Sequence, residues 1–407
     1  MTRLSVAADD LFGLHNLPYG VYSVAGGAPR VATRYGDHVI DLARLLGDDT
    51  FAAPALNPFM AQGHDRWSEV RAAITERVQG DLPAEAVHDL RQVTLHLPFE
   101  VADYVDFYAS AHHASNLGRL FRPESPDPLT PNWRHLPLGY HGRSASIVVS
   151  GTGIVRPAGQ RKGKDDPAPV FGPSTRLDIE AELGFVVGAG NPMGRPIPVD
   201  RADEHIFGVV LFNDWSARDI QAWEYVPLGP NLGKSFASTV SPWVVPLLAL
   251  EAARVPTPPQ EPPVLPYLAL ARPWGLDIAL EVEWNGQVVS RPPYAAMYWS
   301  PAQMLAHLTV NGAPTRPGDL FASGTVSGPE KDQRGAFIEL TWGGAEPIEV
   351  AGERRTFLQD GDEVVLRASA PGPGGTRLGF GEARGRVLPN ESTGTTPPDR
   401  GGPGRAG

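Results

Sequence analysis

The chain has 407 residues, 46 acidic against 35 basic, a formal net charge of −11 and no cysteine. That balance argues against a phosphate-binding surface and gives nucleic acid and anionic membranes no support as partners, while the missing thiols exclude disulfides, zinc–thiolate sites and cysteine nucleophiles. Carboxylates and histidines remain as candidate metal ligands, and the length suits two domains around a buried site.

The N-terminus reaches Asp9 and Asp10 without the apolar run of a secretory signal, and no stretch of ~18 apolar residues occurs later, so a cytoplasmic location is expected. Forty-five glycines and 42 prolines break the chain into short segments and predict a mostly β fold. A helix is expected near Arg66 to Arg77 and a strand over Val93 to Leu97, with a domain boundary near Pro98. This divides the chain into 1–98, 99–389 and a tail, 390–407, whose Gly, Pro, Thr, Ser and Arg lack an apolar period and predict disorder. The sequon at Asn390 is read as accidental.

Residues Asp103 to Tyr108 place Tyr104, Asp106 and Tyr108 on one strand face, followed by Ser110 as a candidate N-cap and His113 in the first helical turn. His112 beside it leaves the choice of a candidate base open. From Leu177 to Val187 the residues alternate, with Asp178, Glu180 and Glu182 on one face. Side chains two apart on a strand start about 7 Å apart, so two glutamates can converge on one cation; a solvated edge face is the bland alternative. Ile206 to Phe212 is a continuous apolar run, the mark of a fully buried strand, ending at Asn213 and Asp214. Ser216 with Asp219 resembles a capping box, predicting a helix to about Val226 with Arg218, Gln221 and Tyr225 on one face.

Two glycine-rich segments are set aside. Gly229 to Ser235 is one residue short of a phosphate loop, and Gly379 to Gly385 misses the dinucleotide spacing. Neither a G-x-S-x-G elbow nor H-E-x-x-H occurs, so an esterase of that class and a zincin lack support.

Read together, these segments resemble the fumarylacetoacetate hydrolase family over nearly the whole chain except the tail. The resemblance runs through Asn16–Val21, Asp106–Tyr108 with His113, Asn132-Trp133, Leu138–Arg143, Leu177–Glu182, Asn213–Gln221, Trp223–Pro230, Leu232–Phe236, Tyr298-Trp299, Arg316–Leu320 and Ala322–Thr325. It implies a small SH3-like N-terminal barrel, a β-sandwich-roll catalytic domain, a homodimer and a small-molecule substrate. The implied activity is hydrolysis of fumarylacetoacetate to fumarate and acetoacetate in tyrosine and phenylalanine catabolism. A related hydrolase or decarboxylase, such as an acylpyruvate hydrolase, is the alternative.

By the same resemblance, Asp106, Glu180, Glu182 and Asp214 hold a divalent cation (Mg²⁺, Ca²⁺ or Mn²⁺), and His113 is the general base oriented by Glu339. Arg218 and Lys234 offset developing negative charge. Tyr108, Arg122, Tyr140, Gln221, Tyr225 and Thr325 hold substrate, and Asp214, Lys234 and Ser238 sit at a second, structural cation. Ala111 and Ser238 depart from the family's usual residues. Alternation over Phe337 to Trp342 predicts that Glu339 lies on a strand.

Overall fold

A computed structural model describes residues 1–163 and 165–391. In chain order its main elements include strands β1 (Tyr19–Ser23), β2 (Arg30–Tyr35) and β3 (His38–Asp41) and helix α1 (His64–Arg77). Next come β4 (Tyr104–Phe107), α2 (Ala111–Phe121) and β5 (Gly139–His141). Strands β6 (Ala181–Val187) and β7 (Ile206–Asp214), helix α3 (Arg218–Glu224), and strands β8 (Ser238–Val240) and β9 (Trp243–Pro246) follow. The remainder contributes β10 (Ala279–Trp284), β11 (Leu320–Ala322), the helical turn α4 (Phe337–Leu340), β12 (Glu363–Pro371) and β13 (Arg377–Leu388).

The largest sheet has 13 strands, and its path includes β3-β2-β1-β9-β7-β6-β11-β4-β5; β10, β12 and β13 belong to a five-stranded sheet. All nine residues of β7 are buried, as its unbroken apolar run predicts for a strand covered on both faces. Phe185 of β6 stacks on Phe321 of β11 at 5.3 Å between ring centroids. Leu366 and Ala383 of the second sheet join the same core.

This order brings four strand ends to one place. Asp106 lies opposite Ala322 of β11 on one side and Tyr140 of β5 on the other, Ala181 opposite Asn213, and Asp214 opposite Ser238. Carboxylates far apart in sequence therefore project from neighbouring strand ends of a rigid sheet.

Several expectations hold. Helix α1 falls on the predicted segment, and a short strand, Thr94–His96, lies inside the predicted one. Ser110 caps α2, its hydroxyl accepting from the His113 amide at 3.2 Å. Others need correction. The N-terminal strands are joined to the main sheet, since β1 pairs with β9, Gly20 opposite Trp243. No capping box forms at Ser216, because Asp219 is spent on Ser174 and Thr175, and Ser216 donates to the Asp214 carbonyl. The alternating segment is not one strand but a short piece, Leu177–Asp178, and β6; both it and the two residues between are buried, which removes the solvated-face alternative. Glu339 lies on α4, not on a strand. Of the tail, Asn390 donates to the Arg156 carbonyl, and residues 392–407 lie outside the described residues. Among the described residues no helix is long and apolar enough to cross a membrane.

Gly324, next after the β11 turn, has φ +74° and would put a Cβ 2.2 Å from the Phe107 carbonyl oxygen, whereas Gly286, with φ +81°, faces open space. Gly286→Ala is expected to cost about 1–2 kcal/mol from left-handed strain alone, and Gly324→Ala distinctly more. Equal costs in denaturant unfolding would show that the β4–β11 junction yields.

Candidate active site

Neighbouring strands and the residue leading into β6 place Asp106, Glu180, Glu182 and Asp214 so that one oxygen from each lies within 4.8 Å of the others, and all four are buried. Burial and mutual repulsion work against their charge. The carboxyls of Asp106 and Glu182 are pushed well above the usual range, by burial first and then by their neighbouring carboxylates. Burial also raises Asp214, with Lys234 acting against it. Glu180 goes the other way: burial opposes its charge, but Lys234 and Arg218 outweigh it and hold it low.

Lys234 bridges the cluster, its ammonium contacting Glu180 and, at 2.6 Å, Asp214. Arg218 reaches Glu180 at 2.8 Å and Asp178 at 2.9 Å. Tyr140 donates to Asp106 at 2.8 Å and to Asp214 at 3.2 Å, and Ser238 to Asp214 at 3.1 Å. These partners leave Oδ1 of Asp106 and both oxygens of Glu182 buried without a hydrogen bond. With all four carboxylates ionised, the two positive side chains would leave at least two negative charges uncompensated, and without a cation protons must take up that excess. An all-oxygen donor set with unpartnered oxygens and that excess fits a hard divalent cation.

On the opposite side, His113 Nδ1 lies 2.7 Å from Glu339 Oε2, with Nε2 4.0 Å from Glu180. The Tyr108 ring stands edge-on to the imidazole at 5.2 Å. Glu339 is fully buried and also accepts from Asn116 at 2.9 Å and Ser327 at 3.0 Å. Burial opposes its charge, yet His113, Asn116 and Ser327 together lower its pKa. The structure therefore brings His113, not half-buried His112, to the carboxylate.

The remaining candidates spread outward. Thr325 is buried with its hydroxyl unpartnered, and Gln221 accepts from Arg218 at 3.2 Å. Arg122 is exposed at the end of α2 and donates to the Pro128 carbonyl, and Tyr225 is 47 % exposed; neither enters the cluster's hydrogen bonds. A cavity of about 320 Å³ beside the cluster is lined by Tyr104, Tyr140, Arg143, Asn231, Lys234 and Ser235. Residue-by-residue reading missed Asn116, Ser327 and Glu224. Asn116 follows His113 by three on one helix and so shares its face, a signal that was available. Glu224 accepts from the amides of Asn231, Leu232 and Gly233, closing the loop that ends at Lys234, and nothing local announces that.

The fumarylacetoacetate hydrolase C-terminal family model matches residues 103–388, and the fumarylacetoacetase N-terminal model matches 15–98. This chain belongs to the fumarylacetoacetate hydrolase family. It is 47% identical to fumarylacetoacetase of Homo sapiens over 96% of this chain and 99% of that one, and 44% identical to the Arabidopsis thaliana fumarylacetoacetase over 95% and 98%. Among solved structures, a fumarylacetoacetate hydrolase of Exiguobacterium antarcticum is similar in fold at TM-score 0.58 and 17% identity, covering 92% of this chain and all of that one. Another family fold, maleylpyruvate hydrolase of Sphingobium sp. SYK-6, solved with manganese(II) and pyruvate, aligns at TM-score 0.54 and 14% identity over 92% and 100%.

The raised carboxyls of Asp106 and Glu182 set the sign of a pH dependence. Their contribution to the stability of the metal-free protein is fully present below the ordinary carboxylate pKa of about 4 and is lost as pH rises toward their folded values, by up to ~1.4 kcal/mol per pH unit for each group. Glu182→Gln removes one of them. The metal-free variant is expected to lose less stability than wild type as pH rises above about 4, the ordinary carboxylate pKa, while binding divalent cations more weakly. A variant whose stability falls with pH as steeply as wild type would contradict the strain assigned to Glu182.

Proposed function

We propose that this chain hydrolyses fumarylacetoacetate to fumarate and acetoacetate by cleaving the carbon–carbon bond of its β-diketone, the last step of tyrosine and phenylalanine catabolism. The observation that carries the reading is 47% identity to a fumarylacetoacetase across 96% of this chain and 99% of that one. The buried histidine–glutamate pair facing a buried carboxylate cluster supports it.

In this reading Asp106, Glu180, Glu182 and Asp214 hold a divalent cation, Mg²⁺, Ca²⁺ or Mn²⁺, which when bound supplies Lewis-acid polarisation of the diketone. His113, its Nδ1 tied to Glu339, has Nε2 free to take a proton from water, and Glu339 stabilises the imidazolium that results. Asn116 and Ser327 keep Glu339 from turning away. Arg218 and Lys234 offset the negative charge that grows on the attacked carbonyl oxygen, an interaction stronger in the transition state than in the ground state. Tyr108, Tyr140, Gln221, Tyr225 and Thr325 line the substrate's path, and the exposed guanidinium of Arg122 suits a terminal carboxylate.

The reading extends to a homodimer in the cytoplasm, divided near Pro98 where the two family models meet, with a tail from 390. A second, structural cation near Asp214, Lys234 and Ser238 belongs to it as well. Lys234 would meet that cation through its backbone carbonyl, since an ammonium has no lone pair to give.

The test follows the loss of fumarylacetoacetate by its ultraviolet absorbance, with an acylpyruvate run alongside. Turnover should vanish after exhaustive metal removal, fall by roughly 10²–10⁴ in His113→Ala, and stay near wild type in His112→Ala. Faster turnover of the acylpyruvate would move the chain to the related hydrolases, and an inactive His112→Ala beside an active His113→Ala would overturn the assigned base.

A further inference from the structure

Asp178 has no part in the cation cluster or in the reaction outlined above, yet its carboxylate is completely buried and fully used. It lies on the short strand Leu177–Asp178, opposite Ser216. Its Oδ1 accepts from the amides of Ile179 and Phe337, both at 2.8 Å. Its Oδ2 accepts from the Ile338 amide at 3.0 Å and from Nε of Arg218 at 2.9 Å.

Each bond reaches a different part of the machinery. Phe337 and Ile338 are the first two residues of α4, whose preceding residue, Ala336, offers no side-chain cap, so Asp178 satisfies amides that would otherwise be orphaned in the interior. Glu339 follows on the same turn and meets His113. Arg218, gripped at Nε, is left with Nη1 directed to Glu180 and Gln221. The Ile179 amide immediately precedes Glu180. A fully buried carboxylate is costly unless charge and hydrogen bonds compensate it; here Arg218 supplies the charge and three amides complete the shell.

We propose that Asp178 is a positioning residue for the reaction: one carboxylate sets both the turn that carries Glu339 and the guanidinium of Arg218, so that the proton-accepting and charge-offsetting sides of the site keep a fixed separation. This rests on the roles given to Arg218 and Glu339 under the proposed function. A merely structural carboxylate would affect folding or cation binding; a positioning one acts on turnover through its two partners.

The experiment is a double-mutant cycle on the full-length, metal-loaded protein. Asp178→Asn, Arg218→Met, Glu339→Gln and the two doubles containing Asp178→Asn are compared in kcat, KM, bound metal by elemental analysis and unfolding midpoint. Asp178→Asn keeps the side chain's volume and one acceptor oxygen while removing the charge. It should lower kcat on the order of 10²-fold with KM within about threefold and metal content unchanged. Because it acts through both partners, each double should keep only the share of the Asp178→Asn loss that runs through the partner left intact, and so lose clearly less than the product of the two single losses. Losses that multiply, a rise in KM alone, or loss of bound metal would overturn the proposal. Retained turnover in both Arg218→Met and Glu339→Gln would overturn the functional roles themselves, an outcome distinct from multiplying losses. If Asp178→Asn does not fold, Asp178→Ser, smaller and able to admit a water to the amides, takes its place in the cycle. If neither folds, Asp178 holds the fold rather than the reaction geometry, and the proposal fails.

Discussion

Four carboxylates brought together in a dry interior repel one another and have lost the water that would screen them, so the arrangement persists only with positive charge placed among them or protons bound to them. Lys234 and Arg218 supply part of it. The remaining excess, and the unpartnered oxygens of Glu182 and Asp106, define what the site lacks: a compact, doubly charged, oxygen-seeking partner. The surrounding architecture can be understood as what is needed to hold that unfavourable cluster in one geometry.

The sheet does most of the holding. Asp106 and Asp214 sit at strand ends, Glu182 within β6 and Glu180 just ahead of it, and β7 is buried along its whole length. A carboxylate on such an element cannot relax away from its neighbours without breaking ladder hydrogen bonds. The histidine–glutamate pair is held differently, on helical elements. His113 lies in the first turn of a helix capped by Ser110, and Glu339 on a turn that Asp178 caps from across the core. Two carboxylates with opposite environments result: Glu182 has no donor, while Glu339 has three. That contrast suits one to a metal and the other to orienting a base.

What could be read in the sequence was what is encoded locally. The apolar run of β7 ending at Asp214, the Ser110 cap and helix α1 are periodicities and cap residues acting within a few positions. The alternation around Glu180 showed which residues share a face, but not that the face is buried, because that depends on strands 30 to 140 residues away in the chain. Phe337 to Trp342 alternates like a strand yet begins as a helical turn, since a four-residue turn with one acidic residue fits either period; Asp178 decides between them by taking its first two amides. The link between His113 and Glu339 spans 226 residues, and only resemblance to a known family could supply it. The pairing of β1 with β9 was not legible for a related reason: it is a property of the assembled sheet, not of residues 1–98 alone.

The central claim is that the buried carboxylates are completed by a divalent cation that displaces protons from them. Calorimetric titration of the metal-stripped protein with Mn²⁺ or Mg²⁺, in two buffers of different ionisation enthalpy and at pH 6 and 8, tests it directly. The account predicts saturable binding, proton release on binding, and tighter apparent affinity at the higher pH. Absence of binding, or binding with no proton release and no change between the two pH values, would contradict it.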